Sequence, residues 1–72
     1  MFIALTLAGG NRVMFNISNI AAIRESEEDR NAWGDTFNSF VWTTEGGDEA
    51  FQVKETYDEI RLMLDAIGAR FI

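Results

Sequence analysis

TFNSFVWTTEGGDEAFQV, residues 36–53, is the stretch whose reading decides the fold. Its first half mixes aromatic and β-branched residues without helical spacing, which predicts a strand over 36–44. Glu45-Gly46-Gly47-Asp48 has turn chemistry, and EAFQV (49–53) alternates again, with Phe51 and Val53 on one face. The pair predicts a β-hairpin. Side chains alternate across a strand, so Phe37 and Val41 fall on one face of the first strand and Phe40 and Trp42 on the other. A two-layer domain of sheet and helix has one dry face and one wet face. Two large aromatics on the second face therefore need cover. A partner chain is the favoured cover, since exposed apolar patches mark interaction sites; a sheet curled into a small barrel is the alternative.

The flanking sequence extends this pattern. FIALTL (2–7) suits a strand, Gly9-Gly10-Asn11 breaks it, and RVMFN (12–16) alternates with Val13 and Phe15 on one side. Asn16 and Ser18 suit a turn, and IAAIR (20–24) reads as a third strand. After residue 54 the period changes. Thr56 and Glu59 have the form of a capping box, and Tyr57, Ile60, Leu64 and Ile67 recur at helical steps up to Gly68. Leu62, Met63 and Ala66 widen the apolar sector, and Phe71-Ile72 ends the chain on apolar residues. The expected fold is α+β: a small, mostly antiparallel sheet of four to five strands, built on two hairpins, with one C-terminal helix. Residues 1–72 are expected to form a single domain.

The totals narrow the function classes. The chain has 72 residues, no Cys, no His and no Pro. A domain of this length buries only about 60% of its unfolded surface. Without a disulfide or metal staple, oligomerisation is a common remedy, and the wide apolar helix sector points the same way. A homo-oligomer is therefore expected. Twelve acids against six bases leave a net charge of −6. That balance argues against nucleic acid and anionic membrane surfaces as partners and favours a basic protein. The first apolar run is too short to span a bilayer, has no basic leader and reads as a strand; a chain without Cys fits any compartment, and cytoplasm is the default localisation. With neither His nor Cys, and no recognisable nucleophile–base pair, no enzyme is expected, and no cofactor or metal.

ESEEDRNAWGD (25–35) is the remaining candidate segment. Glu25, Glu27, Glu28 and Asp29 match no EF-hand spacing and read as a solvated acidic loop. Trp33 is expected to pack over the sheet or into a neighbouring subunit and so pin the loop. Its functional alternative is a binding rim of Trp33, Arg24 and Arg30, residue types that dominate binding hot spots. An aromatic plane beside arginines also suits a small nucleotide-like anion held in a subunit-interface pocket. The candidate binding residues are thus Trp33, Arg24, Arg30, Phe40 and Trp42.

Leu5-Thr6, Gly10, Phe15-Asn16, Ile20 with Ile23, and Val53-Lys54-Glu55-Thr56 form a frame covering most of the chain outside residues 24–35. This frame resembles the small flagellar protein family FlbD, also called SwrD, and is similar to phage and prophage proteins of the same outline. The longer central loop with Trp33, and Phe40 and Trp42 in the fourth strand, depart from that family's pattern. The resemblance implies a non-enzymatic accessory protein without a cofactor, of bacterial or phage origin, and supplies no catalytic residue. Two readings follow: an accessory or protein-interaction module, such as an inhibitor of a host factor, and the small-anion binder.

Overall fold

The computed structural model describes residues 1–68. The element order is β1 (Phe2–Thr6), β2 (Arg12–Asn16), a 3-10 turn (Ile17–Asn19), β3 (Ile20–Glu25), β4 (Ser39–Thr43), β5 (Ala50–Val53) and α1 (Tyr57–Ala66). Every strand pairing is antiparallel, so the expected α+β class and the helix at the C-terminal end are both found. Phe71 and Ile72 lie outside the described residues. No helix among the described residues is long and apolar enough to cross a membrane.

The strands divide into two sheets, β1-β2 and β3-β4-β5. Local turn chemistry closes each hairpin. Gly10 adopts φ +98° between β1 and β2, a conformation that side-chain-bearing residues rarely reach. The sheets meet where the end of β1 crosses the end of β5. Leu7 bridges Val53, the Ala8 amide donates to the Gln52 carbonyl at 2.9 Å, and the Lys54 amide donates to the Thr6 carbonyl at 2.8 Å. Glu55 completes the junction. Its Oε1 accepts from the Thr6 amide at 2.8 Å, and its carbonyl accepts from the buried Ser39 hydroxyl, also at 2.8 Å.

The core lies between the inner faces of the two sheets and α1. Ile3, Leu5 and Phe15 come from the first sheet, Ile20, Val41 and Val53 from the second, and Ile60 and Leu64 from the helix. A register shift between Ile20 and Ala22 lets β3 turn both Ile20 and Ile23 inward, against strict alternation. The predicted cap is present: the Thr56 hydroxyl accepts from the Glu59 amide at 3.1 Å, and the Glu59 carboxylate accepts from the Thr56 amide at 3.3 Å. Asp58 and Glu59 in the first turn complement the helix dipole. Gly68 follows the helix at φ +78°, a stop that only glycine makes without strain.

Two substitutions on α1 separate its inner and outer faces. Ile60 is fully buried and Leu62 is 67% exposed. Ile60→Ala is expected to lower the unfolding free energy by about 2–5 kcal/mol in urea denaturation, and Leu62→Ala by no more than about 0.5 kcal/mol. Equal losses would contradict this packing.

Candidate docking face

The outer face of the three-stranded sheet carries most of the candidate residues. Cross-strand register places Arg24 opposite Phe40 and Ala22 opposite Trp42 on one side of β4, with Gln52 opposite Phe40 and Ala50 opposite Trp42 on the other. All six side chains share one face because directly paired residues point the same way. The inward partners, Ser39 and Val41, are buried. The alternation expected of Phe40, Val41 and Trp42 is thus observed, whereas Phe37 precedes β4 and packs against Phe40 instead of sharing the core cluster of Val41.

Phe40 and Trp42 are half-buried rather than bare. Their rings lie 5.8 Å apart at a 36° tilt, and Phe37 meets Phe40 edge-on at 5.1 Å. The Arg24 guanidinium sits over both rings, 5.1 Å from the Phe40 centroid and 5.4 Å from that of Trp42. A cation held over an aromatic face gains electrostatic attraction and also covers apolar surface with its stem. Part of the expected cover is therefore supplied from within the chain. The Trp42 indole nitrogen points toward the Asp48 carbonyl at 3.4 Å, which ties the ladder to the β4–β5 turn.

The acidic loop is pinned at a different residue from the one expected. Trp33 is 84% exposed and does not pack back over the sheet. Asn31 organises the loop instead. Its Oδ1 accepts from the Trp33 and Asp35 amides, each at 3.0 Å, and its Nδ2 donates to Gln52 Oε1 at 3.0 Å. Asn31 thus closes the turn on itself and moors it to β5. Arg30 donates to the Gly34 carbonyl at 3.1 Å, so its guanidinium braces the same turn. The structure brings Arg24, Phe40 and Trp42 together, places Trp33 beside the β5 end of that face, and commits Arg30 to the loop. Among the described residues, no three acidic side chains converge as metal ligands.

Between the moored loop and the β1–β2 turn lies an open hollow of about 440 Å³. Trp33, Asn31, Asp35, Leu7, Ala50 and Gln52 are among its walls. Ala50 and Gln52 also flank Trp42 and Phe40 in register, so hollow and aromatic ladder form one continuous outer surface. Gln52 and Asn31 are the participants that sequence reasoning missed. The alternation of EAFQV already placed Gln52 on the face of Phe40, and the Asn-x-x-Gly spacing of residues 31–34 was the turn signal for Asn31.

If Asn31 moors the loop, Asn31→Ala is expected to speed trypsin cleavage after Arg30 several-fold while the unfolding midpoint falls less than for Ile60→Ala. An unchanged cleavage rate would remove Asn31 from this role.

No protein-family model, curated protein or solved structure matches the chain, so the functional reading rests on its own geometry.

Proposed function

We propose that this protein is a non-catalytic accessory module that docks on a basic protein through the outer face of Arg24, Phe40 and Trp42, extended by Trp33. The observation that carries the reading is the continuity of half-covered and exposed aromatics with acids at both ends. Glu27, Glu28 and Asp29 lie in the loop beside one end, and Asp48 and Glu49 lie in the turn beside Trp42 at the other; all five are exposed. Interfaces of this type pair a central aromatic anchor with a charged rim that steers the encounter. A partner segment with an apolar residue flanked by Lys or Arg matches that layout. An accessory role of this kind agrees with the resemblance to the FlbD frame, and the small size and net charge of −6 agree with an oligomeric, protein-binding module.

A second reading draws on the hollow beside Trp33. Its volume lies within the range of small-molecule sites, and an exposed indole beside amide groups suits a planar ligand. The residues lining the hollow include Asp35 and no cation. A nucleotide-like anion would therefore need a positive group from Arg30 or from another subunit.

One titration separates the two. Trp33→Phe and the parent chain are followed by NMR of backbone and indole amides against two probes. One probe is a twelve-residue Lys/Arg peptide with a central Phe-Leu pair; the other is a set of nucleotides. The expected result is salt-sensitive shifts at Arg24, Phe40, Trp42 and Gln52 with the peptide in both proteins. Shifts confined to Trp33, Asn31 and Asp35 with a nucleotide, abolished in Trp33→Phe, would replace the first reading by the second. No response to the peptide at millimolar concentration would remove the first.

A further inference from the structure

We infer that two copies of this chain join through the free edge of β2, extending the β1–β2 hairpin into a four-stranded antiparallel sheet across a two-fold axis. The inference deepens the oligomeric part of the function proposed above, on which it rests, and uses a surface separate from the docking face.

The hydrogen-bond register identifies the edge. The Leu7 amide donates to the Asn11 carbonyl and the Ile17 amide to the Met1 carbonyl, at either end of the ladder. Bonded and non-bonded pairs alternate in an antiparallel ladder, so Ile3–Phe15 and Leu5–Val13 are also bonded pairs. The main-chain groups of Arg12 and Met14 therefore point away from β1. Among the described residues no hydrogen bond reaches them. On β1 the corresponding outer groups at Thr6 and Ala8 are taken by Lys54, Glu55 and Gln52. The edge of β2 has no such partner among the described residues.

Natural edges are usually protected by Pro, Lys, a bulge or an inward charge. RVMFN has none of these, and the β1–β2 register runs without a shift through five pairs. Its one charge, Arg12, stands at the first position of the strand, and the exposed residue at its centre, Met14, is apolar. Met14 is 63% exposed, and Phe2, on the same face of the hairpin, is 57% exposed.

Register selects a second copy as the occupant, and the absence of acids from this segment permits it. Residues 1–24 hold two arginines and no acid, whereas residues 25–72 hold all twelve acids against four bases. Two strongly acidic chains repel, and contact through β2 joins them at their acid-free segment. An antiparallel pairing centred on Met14 is self-complementary, as a two-fold interface must be. It sets Met14 of one copy opposite Met14 of the other, and Arg12 opposite Asn16. The two Arg12 residues then stand four positions apart along the strands, about 14 Å, beyond the screening length of about 8 Å at physiological salt. The hydrogen bonds of the Met14 pair satisfy the free main-chain groups of Met14, and Met14, Ala4 and Phe2 of both copies form one apolar band.

Sedimentation and cross-linking of the full chain test the pairing. Met14→Pro deletes the outward amide without touching a bond to β1; it is expected to convert a dimer to a monomer with an unchanged far-ultraviolet circular dichroism spectrum. Should that variant not fold, Met14→Cys tests the same contact in a chain with no other thiol. It is expected to form a disulfide-linked dimer at least tenfold faster than Leu62→Cys, which sits at a comparably exposed site. A parent chain that sediments as a monomer at high concentration would overturn both the pairing and the oligomeric reading. An oligomer unaffected by Met14→Pro, or equal cross-linking at positions 14 and 62, would overturn the pairing alone.

Discussion

The structure depends on a crossing of main chains where Thr6, Leu7 and Ala8 meet Gln52, Val53, Lys54 and Glu55. Each hairpin is closed locally, but a two-stranded hairpin alone is marginal in water. The crossing makes one unit of the β1-β2 hairpin and the three-stranded sheet. It does so with paired main-chain groups, among them the bridge of Val53 to Leu7, and with the fully buried Val53 side chain. Glu55 links β1, through the Thr6 amide, to β4, through the Ser39 hydroxyl, one residue before the helix cap. The placement of α1 over the core follows from this junction, because the Thr56 cap comes directly after Glu55.

Much of the fold was legible because its signals are local. The two Gly-Gly turns, the alternation in residues 12–16 and 49–53, and the Thr56–Glu59 capping box each need only a few neighbours. The division into two sheets was not legible, because it depends on contacts some fifty positions apart, between residues 6–8 and 52–55. Residues 36–38 read as strand, yet regular pairing in β4 begins at Ser39. The Asn38 side chain there donates to the Lys54 carbonyl, the kind of side-chain bond to backbone that competes with a regular ladder. Ile20 and Ile23 share the inner face although three positions separate them, and only a bulge permits that in a strand.

The candidate face was legible in part for the same reason. Alternation alone put Phe40 and Trp42 outside, and it put Arg24 on the neighbouring strand. Pairing register then decided that the guanidinium lies over both rings. Trp33 is where such local patterns stop being sufficient. An aromatic in a charged loop reads as an anchor, but the anchor is Asn31, whose three hydrogen bonds hold the turn and leave the indole in solvent. A large apolar side chain left exposed by a hydrogen-bonded turn is a feature of binding surfaces more than of cores.

Amide hydrogen exchange measured residue by residue addresses the junction directly. If the crossing unites the two sheets, the Thr6, Ala8 and Lys54 amides exchange only through global unfolding, at the same free energy as the core amide of Val41. The loop amides of residues 27–34 exchange far faster. Thr6, Ala8 and Lys54 exchanging at loop rates, with each hairpin protected on its own, would show that the sheets are separable and would contradict the account.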